Sequence, residues 1–367
     1  MQLFIRLRYL DLAFILNLNL YIVFCFKYIL LPTMKFIIST AKLAIVTLFT
    51  VSLLSFSCGS NAGNKKMATA MPAPTLSFSK SISEKQFNEL FPQRNKFYTY
   101  QAFIKAVDDL AQIKVKVIRR AVSVYQFTRT DKRTGKATIV RQDGDWNEEW
   151  AKQKPDSTYI VDYGNFCNGK DAAINKRELA AFFAQIAHET RHGQNESYID
   201  GLMLLHEDNT SLNYLSDSDE YPAVKGQKYY GRGPMQISYN GNYGYASDCI
   251  FGDKKVLLNN PRLVETDAVV SFKTAIYFWM TPETHKPSAH DAFTGVWQPK
   301  ESDKAKGRTP GFGMTINIVN GELECNKGED NYSMKDRIGF YKFFLSKLGA
   351  TDPDCACSCG KMEPYKY

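Results

Sequence analysis

Residues 177–190 constrain this chain more than any other stretch. Leu179, Phe182, Phe183, Ile186 and Ala187 recur at the spacing that places them on one face of a helix. Asn175 and Glu178 supply start signals for it. The apolar pattern closes on His188, Glu189 and Thr190, so titratable groups stand at the end of a core helix. Residues 269–280 form a second apolar, helix-like run. Helical patterns dominate onward from Ser81, strands are few, and loops are long. Residues 114–170 differ. There, Val122-Ser-Val-Tyr-Gln-Phe-Thr128 and Ala137-Thr-Ile-Val140 flank a turn containing Gly135, which predicts a hairpin. The expected class is mainly α, with an inserted β-hairpin-like segment that is either a surface elaboration or an extra wall to a cleft.

The segment 229–244 carries the densest chemistry. It holds Gly231, Gly233, Gly241 and Gly244, the amides Gln236, Asn240 and Asn242, Ser238, and four tyrosines. Glycine lets backbone approach a ligand closely. Amides and hydroxyls offer both donors and acceptors. Tyrosine adds a flat apolar face with a polar tip. With Arg232 as its one charge, the mixture suits a neutral, hydroxyl-rich polymer better than a phosphate backbone.

The N-terminal 57 residues read as a leader. Lys35 and Lys42 precede the apolar run 43–54, which ends in Ser55-Phe-Ser-Cys58. Ending on Cys58, it matches a bacterial lipoprotein signal; an ordinary signal peptide cut at residues 60–62 is the alternative. Residues 1–33 precede this signal, and Asp11, Asn17 and Asn19 interrupt their apolar character, so Met34 is the expected true start. Residues 58–80 are small and polar with Pro72 and Pro74, an anchor and linker. The chain is therefore expected to be exported, as an outer-membrane or cell-surface lipoprotein or in secreted form. Residues 1–57 contain five basic and one acidic side chain, so the formal charge falls from +8 to +4 without them. That balance does not point to nucleic acid.

Of eight cysteines, Cys167, Cys249, Cys325, Cys355, Cys357 and Cys359 lie beyond the leader. An even number in an exported chain favours disulfides, and six leave 15 full pairings open. The Cys-rich tail, residues 351–367, could instead bind metal, although no histidine lies near it.

Further blocks are Phe87-Asn-Glu-Leu-Phe-Pro-Gln-Arg-Asn-Lys-Phe-Tyr-Thr-Tyr100, Ala187-His-Glu-Thr190, Phe278-Trp-Met-Thr-Pro282, Lys286-Pro-Ser288, Asn317-Ile-Val-Asn-Gly-Glu-Leu-Glu-Cys325 and Asp336-Arg-Ile-Gly-Phe-Tyr341. With 229–244, in this order and spacing, they resemble the family 19 glycoside hydrolases, the plant-type chitinases. The resemblance implies a lysozyme-like, α-rich catalytic domain over residues 81–350, interrupted by the insertion. It implies an endo-acting, inverting chitinase that cuts β-1,4-linked N-acetylglucosamine polymers, as a monomer and without cofactor or metal.

Breaking a glycosidic bond with inversion needs two carboxyl groups about 6.5–9.5 Å apart. By the resemblance Glu189 is the general acid, and partial burial beside Phe182 or Phe183 is the expected means of keeping it protonated. Glu207 is the general base, with Glu196 and Asp208 as rivals. Ser238 holds the attacking water. Gln236, Asn242, Lys286, Asn320 and Tyr230 bind sugar. Glu324 and Arg337 form a supporting ion pair, and Cys325 pairs with one of the last three cysteines. Gly241 departs from the family pattern, which has an aromatic there that Tyr239 or Tyr243 would replace. Tyr277 stands where tryptophan is usual. Two alternatives remain: a peptidoglycan-cleaving muramidase of the same fold, and a zinc hydrolase, because His188-Glu-Thr-Arg-His192 spells H-E-x-x-H.

Overall fold

The computed structural model describes residues 78–365, except 154–155, 193–196 and 284. The leader, Cys58, nearly all of the linker and Glu196 lie outside the described residues. Packing already includes Phe78, whose ring meets Phe103 and Phe166, three residues before the expected start at Ser81.

Seven longer helices carry the fold: α1 (Glu84–Leu90), α2 (Tyr100–Leu110), α3 (Ala172–Thr190), α4 (Asn240–Phe251), α5 (Ala268–Met280), α6 (Phe312–Glu324) and α7 (Tyr332–Lys347). Ser83 and Gln86 form a reciprocal capping box at the start of α1. Asp267 caps α5, accepting from the N–H groups of Val269 and Val270.

Helix α3 is the axis of the core. It starts five residues before the expected 177, because Asp171 accepts from the N–H groups of Ala173 and Ile174. The two expected start signals serve elsewhere. Asn175 exchanges hydrogen bonds with the Gly169 backbone. Glu178 is fully buried and accepts from Trp279 Nε1 at 2.9 Å, His290 Nδ1 at 2.6 Å and the Cys167 N–H at 3.1 Å. Every residue from Leu179 to Ala187 is buried, so α3 is enclosed on all sides rather than along one stripe. Phe182 packs on Phe103, Phe166 and Trp279, and Phe183 on Phe91 and Phe344. Helix α7 lies along α3, and α5 lies along α2.

The predicted hairpin is half of a larger unit. Strands β1 (Ile113–Arg120), β2 (Val124–Asp131), β3 (Ala137–Gln142) and β4 (Ser157–Asp162) form one antiparallel sheet in the order β3-β2-β1-β4. The β2–β3 hairpin turns through Gly135 at φ +69°, a conformation glycine adopts without strain. The flanking strand β1 alternates buried and exposed residues at Ile113–Val117, a period-2 pattern. Arg129 on β2 ties the sheet to the body: its Nε and Nη2 donate to the last carbonyls of α4, Cys249 and Ile250, each at 3.1 Å.

The C-terminal tail is packed. A disulfide joins Cys325, at the end of α6, to Cys359, within the set of partners expected for it. Cys355 bonds to Cys357, while Cys167 and Cys249 are buried free thiols. Gly313 is where the tail crosses α6: a Cβ there would lie 2.3 Å from the Ser358 carbonyl oxygen.

Candidate active site

The helix that carries Glu189 ends one residue later, at Thr190. Thr190 Oγ1 accepts from the Leu202 N–H at 2.8 Å, which fixes the chain's return past the helix end. Arg191, already extended, bridges Asp200 and Asp336. His188 Nδ1 bonds Asp336 Oδ2 at 2.6 Å. The last turn of α3 is thus clamped on both flanks of Glu189.

Glu189 contacts Arg337, not the aromatic pocket expected for it. Arg337 Nη2 donates to Glu189 Oε1 at 2.5 Å. Arg337 is fully buried and forks onto Glu324, with Nε to Oε2 at 2.9 Å and Nη2 to Oε1 at 2.7 Å. Its Nη1 donates to Gln185 Oε1 at 2.7 Å, and Gln185 in turn donates to Thr315. Burial alone would raise the Glu324 carboxyl, but the charge and hydrogen bonds of Arg337 hold it below its ordinary value. The expected ion pair is therefore present, and it extends to Glu189. The rings of Phe182 and Phe183 point into the core instead.

Glu189 opens on a cleft of about 1000 Å³. Gln236, Ser238, Asn242, Lys286 and Asn320, five expected sugar or water contacts, line it together. They come from three places. The first is the turn before α4, which is held in an unusual backbone. Gly233 has φ +73°, with Val264 Cγ1 only 2.8 Å from where a Cβ would sit. Gln236 at φ 48° and Tyr239 at φ 70° also lie in the left-handed region, bracketing Ser238. Such conformations persist only where surroundings enforce them, and they gather at functional sites. Ser238 Oγ donates to the Gln236 carbonyl, Gln236 Nε2 to the Gly233 carbonyl, and Asn242 Nδ2 to the Ser238 carbonyl. The second place is the loop after α5, where Lys286 is buried between the Ile318 carbonyl at 3.1 Å and Glu283 at 3.2 Å. The third is α6, which kinks at Asn320 (φ −149°, ψ 39°) and lets Asn320 Nδ2 donate to Glu324.

Glu207 is not among the cleft-lining residues, but Tyr214, which donates to its Oε2 at 2.8 Å, is. The Gly231 N–H donates to Glu207 Oε1 at 2.8 Å, and the Glu207 N–H returns a bond to the Gly231 carbonyl. Donating to that carboxylate pushes the Tyr214 phenol up to about 12. Asp208, next in the chain, is exposed. Tyr230 does not line the cleft; its ring stacks on Arg232, 3.6 Å from the guanidinium carbon. Gly241 lines the cleft, and Tyr239, not the buried Tyr243, lines it beside that glycine.

The H-E-x-x-H spelling does not form the geometry it requires. That motif needs both histidines on one helical face, but the helix stops at Thr190, His192 is exposed, and His188 is bonded to Asp336.

The family model described as chitinase class I matches residues 158–359. Endochitinase CH25 of Brassica napus is 39% identical over 289 residues, which cover 76% of this chain and 72% of that protein. This chain belongs to the family 19 glycoside hydrolases. Endochitinase A2 of Pisum sativum is 47% identical over 229 residues, covering 60% of this chain and 69% of its own. Among solved structures, chitinase C from Streptomyces griseus HUT6037 superposes with a TM-score of 0.51 at 30% identity, over 76% of this chain and 80% of its own.

In this family 19 enzyme several cleft residues were not singled out from the sequence. Tyr214, Glu283, Asn317 and Tyr365 all line it. Asn317 stands in a block that the sequence did mark, and its buried Oδ1 has no hydrogen-bond partner. Tyr365 arrives through the tail: Asn317 Nδ2 and Arg308 Nε both donate to the Glu363 carbonyl, two residues before it.

Proposed function

We propose that this enzyme is an endo-acting chitinase that hydrolyses β-1,4-linked N-acetylglucosamine chains with inversion. One observation carries the reading: Glu189, held by the fully buried Arg337, opens on a cleft whose walls are amides, hydroxyls and tyrosines. Glu189 gives its proton to the leaving glycosidic oxygen. Glu207 takes a proton from the water that attacks the opposite face of the sugar, and Ser238 orients that water. Gln236, Asn242, Lys286 and Asn320 hydrogen-bond the sugars. For Glu207 to reach the water, its bond from Tyr214 must loosen or turn as the chain enters, since catalytic hydrogen bonds often settle only with substrate bound.

NMR of the first products tests this. Inversion of a β-linkage yields the α anomer before mutarotation; early β anomer would refute it. Glu189→Gln should abolish nearly all turnover while unfolding at the same temperature as the wild type. Faster release from peptidoglycan than from chitin would reassign the polymer.

We also read the enzyme as exported and lipid-anchored at Cys58, on the pattern of residues 34–58. Mass spectrometry of the membrane fraction should find a diacylglyceryl group on Cys58. A soluble product that begins after Cys58 would overturn this.

A further inference from the structure

The inserted sheet forms one wall of a recess. Beside the catalytic cleft lies a recess of about 480 Å³, a size typical of small-ligand sites. Strands β2 and β4 give it Tyr125, Phe127 and Tyr159, and α4 gives it Tyr245. Four of its lining residues, Asn242, Glu283, Lys286 and Tyr365, also line the cleft, so the two spaces meet along a common wall. Strands β1–β3 lie before residue 158, outside the part of the chain that the family model matches.

The wall is rigidly attached. Arg129 holds the sheet to the C-terminal carbonyls of α4, and Phe127 stacks on Tyr245 of the same helix at 4.8 Å. Asn242, two residues into α4, faces the cleft from that helix's other end. One helix therefore fixes the aromatic recess relative to the catalytic groups. The chemistry of the recess is that of a neutral guest. Arg141 is matched by Asp143 at 2.7 and 3.1 Å and lies over the Tyr125 ring, and Lys286 is matched by Glu283. The Tyr125 and Tyr245 faces are covered by Arg141 and Phe127, and what remains is the half-buried Tyr159, an aromatic face with a polar tip of the kind that accepts the C–H face of a sugar and bonds its hydroxyls.

We propose that this recess is an additional sugar subsite, built by the inserted sheet, for one more unit of a β-1,4-linked N-acetylglucosamine chain running out of the cleft past Asn242 and Lys286. The proposal rests on the chitinase reading. Its consequence is a preference for long chains that the cleft alone does not impose.

The test compares a tetramer with an octamer of N-acetylglucosamine. Tyr159→Ala should lower kcat/KM for the octamer about tenfold more than for the tetramer, the order of one lost aromatic contact. Tyr159→Phe should keep most of the wild-type length preference, which separates stacking from loss of fold. Equal effects of Tyr159→Ala on both lengths would overturn the proposal. A crystal of Glu189→Gln soaked with the octamer gives a second readout: a sugar ring against Tyr159 supports the subsite, and a chain confined to the cleft refutes it. If the wild type cuts neither oligomer, the activity reading fails, and the soaked crystal decides the recess independently.

Discussion

Replacing Arg337 with methionine keeps much of the side chain's length and removes its charge and its donors. In the folded protein the fully buried Arg337 makes two bonds to Glu324 and one to Gln185 away from water, and one to Glu189 at the cleft. The substitution leaves Glu324, itself 2% exposed, buried without a counter-charge. Removing one partner of a buried ion pair costs about 3–5 kcal/mol, chiefly from the charge left behind. Because the orphaned carboxylate is the cause, adding Glu324→Gln should recover on the order of 1–2 kcal/mol of that loss. The assay is urea unfolding followed by tryptophan fluorescence, extrapolated to water for the wild type, both single variants and the double variant. The pH dependence has a definite sign. The Glu324 carboxyl is held below its ordinary value in the folded protein. Its contribution is therefore fully present above the unfolded pKa of about 4.3 and is lost as pH falls through the lower folded value. The gap between wild type and Arg337→Met should accordingly narrow below about pH 4. A loss under about 1 kcal/mol at pH 7, or a gap that stays constant on acidification, would refute the reasoning.

Glu207→Ala should lower kcat by about 10²–10⁴-fold with little change in oligomer affinity, while Asp208→Ala and Glu196→Ala stay near wild type; a crippled Glu196→Ala would move the base into that loop. Burial opposes charging of His290, but the bond and charge of Glu178 win and raise its pKa, with Asp291 adding to the effect. Its stabilisation is then complete below about pH 6.5 and is lost as pH rises through the folded value, so unfolding free energy should fall across that window in the wild type and not in His290→Gln. A parallel fall in both would sink the assignment. Cys325→Ser opens a loop with sequence separation 34, worth about 3–4 kcal/mol by chain entropy. It should also raise KM, because Tyr365 and the Glu363 backbone lose their anchor; unchanged KM would mean that the tail holds its place without the disulfide.

Local pattern carried a large part of this structure. The apolar period placed α3 and α5 to within a few residues, and the turn chemistry around Gly135 placed the β2–β3 hairpin. The start of α3 was missed because Asp171 satisfies the free N–H groups, while Asn175, an equally good cap by type, and Glu178, its capping-box partner by spacing, are recruited by Gly169 and by Trp279 and His290. A cap is chosen by geometry among several side chains of the right kind. Strand β4 was missed because it is stabilised by pairing with β1, far away in the chain, which a local window does not contain; β1 turns directly into β2, with Arg120 opposite Val124, so its alternation at Ile113–Val117 was a local signal.

The sequence alone determined the family, the helical class and five of the polar groups that meet in the cleft, Gln236, Ser238, Asn242, Lys286 and Asn320. Residue types at fixed spacing suffice for that, since Gln236, Ser238 and Asn242 sit on one short turn-and-helix segment whose geometry is local. Tertiary structure decided the surroundings of each group. It set Glu189 against Arg337 instead of against phenylalanine, turned Tyr230 onto Arg232, joined Tyr214 to Glu207, and ended α3 before His192. It also brought Tyr365 and the inserted sheet to the cleft edge. The surroundings of Glu189 are set by a contact with Arg337, 148 residues away, and only the packed chain fixes which of many compatible neighbours is present.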